Sequence, residues 1–195
     1  MEQIILASGS KRRQEFLKLL ALPFNCIPSN VDESFNENLA PGAIVEELAL
    51  RKVLKVAETM KFEAPPWICG ADTIIYLEGR IYGKPVNRED ARRILSTLQG
   101  KTHEVWTAVA LYNGRKKTTD CRSVCSHVSF AVLSDAEIKW YLDSFEWQDA
   151  AGAYKLQGLA SCLITEISGS FSSIVGLPIR EFYVMLRDNG YPFGG

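Results

Sequence analysis

Lys11, Arg12 and Arg13 stand together where a short apolar run, Ile4 to Leu6, gives way to a helical pattern. A helix N-terminus carries partial positive charge and unpaired N–H groups, so its first turn favours Asp or Glu. Three cations at that end repel one another unless an anion joins them, and phosphate is the usual occupant of such a place. The alternative is a solvated basic turn whose arginine stems lie on apolar surface. Asp72 is the second candidate, set among Gly70, Ala71 and Thr73 inside the apolar run WICGADTIIYL. A carboxylate there is costly without a metal, a cation or a catalytic role, unless backbone amides of a neighbouring loop hold it. Lys52 is the third, in one row with Ile44, Leu48 and Val56; it either snorkels to the edge or aims its ammonium at an anion. Asp32 and Glu33 lie in a polar loop, where oxygen ligands for a Mg²⁺ bridging phosphates arise only if the fold turns them toward the arginines. Lys84 lies near a strand end.

The elements that must position these groups read as follows. Residues 4–20 give a strand, a small-residue turn that Ser8 or Ser10 caps, and a helix carrying Phe16, Leu19 and Leu20. A second strand is predicted over 24–28 and a helix from Pro41 and Gly42 to about Met60. The run 67–77 reads as a strand interrupted at 70–73, and Glu78–Gly79 as a hairpin turn into a strand at 80–82. Asn87 caps a helix ending at Gly100, with Glu89 and Asp90 in its first turn. Strands are predicted over 103–112 and 122–133 about the Asn113–Gly114 hairpin signal, then a helix over 134–144 opened by a Ser134–Glu137 capping box. A strand over 159–167, a Ser/Gly-rich loop and a helix from about Val175 with Pro178 in its first turn complete the chain, leaving a loose tail at 191–195. Strands alternating with helices, with a ribbon between, predict α/β with a mixed sheet in a single domain, 1–195.

At 195 residues, 47% hydrophobic and 23% charged, with a formal net charge of −1, the chain has no general basic field for nucleic acid or an anionic membrane. No run approaches membrane-spanning length and no leader pattern opens the chain, so a cytoplasmic protein is expected. The five scattered cysteines suit buried thiols in a reducing compartment. Cys121, Cys125 and His127 lack a second ligand pair and follow strand alternation, which argues against zinc. His103 lacks an accompanying nucleophile and is expected to be a structural edge histidine. No GxxxxGK[ST] or GxGxxG pattern occurs, which argues against an ordinary kinase, ATPase or dinucleotide enzyme and leaves phosphoanhydride hydrolysis as the natural chemistry.

Five segments in order, LASGSKRRQEFL, GADTII with GRIYGKP, GKTHEVWTAVAL, AGAYKLQG and GSFSSIVGLP, give the chain a resemblance to the Maf family of nucleotide pyrophosphatases across nearly its whole length. Its AGAYxxQG form is similar to the subgroup acting on dTTP and UTP. The resemblance implies hydrolysis between the α and β phosphates, giving a nucleoside monophosphate and pyrophosphate, in a cytoplasmic protein that uses a divalent cation, Mg or Mn. It implies a Maf/ITPase-like fold, a strongly twisted mixed sheet flanked by helices with a cleft between two lobes, and a homodimer. Carried onto this chain, Asp72 matches the proton acceptor; Ser8, Arg12, Arg13, Lys52 and Lys84 match the phosphate-binding set. Glu33 matches a further acidic site residue, a metal ligand together with Asp72, and Arg12, Thr73 and Gln157 match positions linked to substrate choice. An amide at Gln157 both donates and accepts, complementing the N3–H and carbonyl of uracil or thymine, whereas a carboxylate would better serve a donor-rich purine such as 7-methyl-GTP. The one departure is Lys11, where the family usually has Pro; it loosens the turn and adds a cation. The rivals are a 7-methyl-GTP-type pyrophosphatase and a non-enzymatic nucleotide-binding regulator of cell division, which would keep the arginines and dispense with Asp72.

Overall fold

The computed structural model describes residues 1–36, 38–59, 61 and 66–193, so Met60, Pro65 and the terminal Gly194 and Gly195 lie outside the described residues. Strand β1 (Ile4–Leu6) leads through helix α1 (Lys11–Leu19) to β2 (Phe24–Cys26) and helix α2 (Pro41–Thr59). Next come β3 (Trp67–Leu77), β4 (Arg80–Tyr82), α3 (Arg88–Leu98), β5 (Thr102–Asn113) and β6 (Thr118–Phe130). Helix α4 (Asp135–Asp143), strand β7 (Ile164–Ser168) and helices α5 (Phe171–Val175) and α6 (Ile179–Asn189) complete the chain. The strands make one seven-stranded mixed sheet in the order β2-β1-β3-β5-β6-β7, with β4 antiparallel to β3, and helices flank it, as the α/β reading requires. β1 runs parallel to both β2 and β3, while β7 is antiparallel to β6. Among the described residues no helix is long and apolar enough to cross a membrane.

The chain divides into two compact units, the first made of residues 1–72, 107–124 and 176–195. Its core joins Ile4 and Leu6 of β1, Trp67, Cys69 and Ala71 of β3 and Val109 and Leu111 of β5 to Leu17 of α1 and Phe182, Met185 and Leu186 of α6. Each large apolar side chain buried in this way contributes roughly 1.5–3 kcal/mol. Against β3, helix α2 approaches at Gly70, where a Cβ would stand 2.8 Å from Val53 Cγ1 and 3.1 Å from the Ala49 carbonyl. The small residues at 70–73 therefore do not interrupt the strand; β3 is continuous, and its glycine admits the helix. Gly190 takes a left-handed φ of 85° at the end of α6, and the Tyr191 amide reaches back to the Leu186 carbonyl at 2.9 Å. The tail is not loose at Tyr191: that ring is buried against Trp67, with centroids 5.4 Å apart, and its hydroxyl donates to the Glu2 carbonyl.

The second unit comprises residues 73–106 and 125–175. Glu78 (φ 49°) and Gly79 (φ 79°) form the expected two-residue turn between β3 and β4, since both central residues of a type I′ turn need positive φ. Asn87 accepts from the Asp90 amide and Ser134 makes the capping box with Glu137, so α3 and α4 begin where their sequence signals place them. Residues 159–163 form a 3-10 helix rather than the start of a strand, because the Ser161 amide and hydroxyl both donate to the Gly158 carbonyl. Ala160 and Leu163 then share the buried side at 3-10 spacing. His103 is not an edge residue: it is 1% exposed, its Nε2 lies 2.9 Å from the Tyr154 hydroxyl, and Phe130 and Tyr154 close around it.

Other boundaries also shift. β6 starts at Thr118 and ends at Phe130, and Asn113 closes β5 instead of sitting in the turn, its side chain accepting from the Arg115 amide. Helix α5 forms within the stretch expected to be a Ser/Gly-rich loop, Gly176 at φ 126° ends it, and the final helix α6 starts only at Ile179, with Pro178 as its cap rather than in its first turn. The five cysteines are all free, and Cys69 alone among them is fully buried.

Burial, reinforced by the charge of His127, lowers the His103 pKa from 6.5 to about 4. The unfolded chain therefore binds more protons than the folded one between these values, so stability is full above pH 6.5 and falls as pH drops toward 4. Urea unfolding at pH 7 and pH 4 is expected to show a His103-dependent loss of up to about 3 kcal/mol, absent from His103→Gln; an equal loss in both proteins assigns it to other groups.

Candidate active site

β1 and β3 run parallel with Leu6 opposite Cys69, and the pairing continues as the Ala7 amide donates to the Cys69 carbonyl at 2.8 Å. Ser8 and Asp72 follow within a few residues, at the carboxyl side of that pairing, where parallel sheets present ligand-binding groups. Ser8 is buried, and its hydroxyl accepts from the Ser10 amide at 3.2 Å. Ser10 is the N-cap of α1, but its side chain makes no capping hydrogen bond, and no acid occupies the first turn. The hydroxyl of Ser8 is thus directed at Arg13, whose Nη1 donates to it at 3.2 Å while Nε donates to the Gly176 carbonyl at 2.9 Å. Burial lowers the Arg13 pKa, and the charge of Asp72, then that of Glu33, opposes that shift. The neighbouring Cys69 thiol is pushed up to about 12 by burial, so it is neutral and no nucleophile at neutral pH.

Lys52 does not snorkel. Ile44, Leu48, Lys52 and Val56 are all buried on one side of α2, and the lysine Nζ lies 2.5 Å from Asp72 Oδ1 and 2.7 Å from Glu33 Oε1. The Lys52 and Asp72 side chains are 8% and 11% exposed, whereas Glu33 is 52% exposed. The partner of Asp72 is therefore a cation from a helix twenty residues earlier, not a loop amide. Ser8, Arg13, Glu33, Lys52 and Asp72 come together in the first unit; Arg12 is half-buried beside Arg13 on α1.

Glu33 and Asp72 meet on one ammonium, and the described residues hold no group of three or more His, Cys, Asp or Glu side chains suited to a metal ion. Two carboxylates fit a hard cation that keeps waters and takes its remaining oxygens from phosphate, as Mg²⁺ does, and do not fit an all-protein cage. The Cys121 thiol donates to the Glu46 carbonyl, and burial, then Glu46, push it up to about 12.

Thr73, Lys84 and Gln157 belong to the second unit. Thr73 is half-buried directly after Asp72, and Lys84 and Gln157 are exposed. The Gly83 carbonyl accepts from the Gly152 amide at 3.0 Å, which joins the segment bearing Lys84 to the AGAY segment before Gln157. Gln157 sits in a turn held by Glu146, whose Oε2 accepts from the Leu159 amide at 2.8 Å. A Cβ at residue 158 would lie 2.1 Å from that oxygen, so any side chain there would make the Glu146 carboxylate swing out of this hydrogen bond. Sequence reasoning did not single out Glu146 or the Gly176 carbonyl: a carbonyl has no side-chain signature, and only the glycine at 158 hints at what lies above it.

Fold and site together define a mixed α/β protein with arginine and lysine cations gathered around two carboxylates at the ends of parallel strands. The chain belongs to the Maf family, whose model, described as Maf-like protein, matches residues 3–189. It is 44% identical over 187 residues to the dTTP/UTP pyrophosphatase of Desulforamulus reducens, covering 96% of each chain. It is 42% identical to the dTTP/UTP pyrophosphatase of Symbiobacterium thermophilum, covering 98% of this chain and 96% of that one. Among solved structures, the Staphylococcus aureus Ham1 protein is similar over 67% of this chain and 72% of that one, with a TM-score of 0.46 and 16% identity.

Removing one partner of a buried ion pair leaves the other charge uncompensated, which costs about 3–5 kcal/mol, whereas removing both costs less. Chemical denaturation of Lys52→Met should show a loss of that order, and adding Asp72→Asn should recover part of it. A double variant less stable than Lys52→Met contradicts the pairing.

Proposed function

We propose that the protein is a nucleoside triphosphate pyrophosphatase that hydrolyses dTTP and UTP to the monophosphate and pyrophosphate, residues 1–195 acting as one catalytic domain. The observation that carries this reading is the Lys52 ammonium held between Asp72 and Glu33, beside Arg13, in a chain more than 40% identical to named dTTP/UTP pyrophosphatases. Phosphoryl transfer asks little covalent chemistry of a protein; it asks for positioning and for neutralisation of phosphate charge. Ser8, Arg12, Arg13 and Lys52 supply those contacts from the first unit. Lys84 is assigned to the same set from its match to the family motif. Asp72 orients the attacking water and accepts its proton, and the Lys52 ammonium holds that carboxylate in place. Glu33 and Asp72 hold a divalent cation, Mg or Mn, which when bound neutralises phosphate charge.

Substrate choice falls to Arg12, Thr73 and Gln157. The Gln157 amide offers one donor and one acceptor, the complement of a uracil or thymine edge, and the Glu146 carboxylate fixes the turn that presents it. The family resemblance extends the proposal to a cytoplasmic homodimer acting on free nucleotides, with no nucleic-acid or membrane partner.

Incubating the protein with UTP, dTTP, CTP, ATP, GTP and 7-methyl-GTP in Mg²⁺ or Mn²⁺ should release monophosphate and pyrophosphate from UTP and dTTP foremost. Gln157→Glu should lower kcat/KM for both by about tenfold or more, because a hydrogen-bonding site discriminates strongly once a partner is lost. Preference for 7-methyl-GTP, or a profile unchanged by the substitution, contradicts the pyrimidine assignment.

A further inference from the structure

Between β2 and α2 the described residues form no helix or strand, yet Glu33 on this loop reaches Lys52. With Glu33 half exposed, the ion pair alone is a weak restraint in water. The restraint comes from the residue beside Lys52. Arg51 Nη1 donates to the Asp32 carbonyl at 2.6 Å and to the Ser34 carbonyl at 2.8 Å, gripping the main chain on both sides of Glu33. Arg51 Nη2 is in turn held by Glu47 Oε1 at 2.6 Å, one turn earlier on α2. Asp32 shapes the loop from within: its Oδ1 accepts from the Ser34 amide at 2.9 Å and its Oδ2 from the Ser34 hydroxyl at 2.6 Å.

We propose that Arg51 is a positioning residue: it clamps the backbone at Asp32 and Ser34 so that the Glu33 carboxylate is presented to Lys52 and the reacting phosphates. The proposal rests on the pyrophosphatase reading for its kinetic consequence. Two adjacent residues of α2 divide the task, Arg51 holding the main chain of the loop and Lys52 the carboxylate at its tip. Nη1 of the planar guanidinium serves both carbonyls while Nη2 is anchored on Glu47, a division over two nitrogens in fixed relation that the single nitrogen of a lysine ammonium does not reproduce, so the site specifies Arg and not merely a cation.

The test uses the full-length protein with UTP as probe and four variants: Arg51→Ala, Arg51→Lys, Glu33→Gln and the Arg51→Ala/Glu33→Gln double. Arg51→Ala should speed amide exchange across residues 32–36 without lowering the global unfolding midpoint in proportion. It should lower kcat by about ten- to a hundredfold, the loss expected when a site group is displaced by about 1 Å. Arg51→Lys should fall between wild type and Arg51→Ala. Because Arg51 acts through Glu33, the double variant should turn over no more slowly than Glu33→Gln alone. Multiplying losses, or unchanged exchange in Arg51→Ala, overturn the proposal. If wild type releases no pyrophosphate, the pyrophosphatase reading fails instead, and the exchange experiment decides the clamp by itself.

Discussion

The buried ammonium of Lys52 is the constraint on which the first unit depends. A cation on the apolar row of α2 is tolerable only with compensating charge within hydrogen-bonding distance, and Asp72 at 2.5 Å and Glu33 at 2.7 Å provide it. That requirement fixes the distance between α2 and β3, and the chain meets it with a glycine at 70, where any side chain would strike Val53 and the Ala49 carbonyl. On the proposed function, stability and chemistry act on the same atoms: the pair that keeps the helix seated is the pair to which the reaction is assigned.

Arg13 extends this arrangement to the other side of the site. Its guanidinium is fixed by the Ser8 hydroxyl and the Gly176 carbonyl, so the start of α1 and the link between α5 and α6 are joined through a cation whose charge burial disfavours. A first turn without acids is unfavourable for an isolated helix, and the phosphate proposed to bind at this end would offset it. The second unit shows the same economy at Gly158 and Glu146, where the missing Cβ is the space that the carboxylate occupies.

Much of this was legible in the sequence, and the reasons for what was not are physical. The four-residue spacing of Ile44, Leu48, Lys52 and Val56 placed the lysine on the buried row, and the capping signals at Asn87 and Ser134 marked two helix starts. The direction of the Lys52 head group was not legible, because a snorkelling lysine and an ion-paired one share the same local pattern. Partners far apart in the chain left no trace, as with Arg13 and a carbonyl 163 residues away, or Tyr191 folded back onto Trp67. At 159–163 buried residues spaced by three were misread as strand, since a short apolar run does not distinguish the two.

The most direct test of the account is turnover of UTP and dTTP by Asp72→Asn, measured beside nucleotide binding and the unfolding midpoint of the same protein. Asparagine keeps the shape of the side chain and cannot accept the proton, so the account predicts a fall in kcat of about 10²–10⁴-fold, with nucleotide binding retained and the protein still folded at a lowered unfolding midpoint. Near-normal turnover by that variant would contradict the central role given to the Lys52–Asp72 pair.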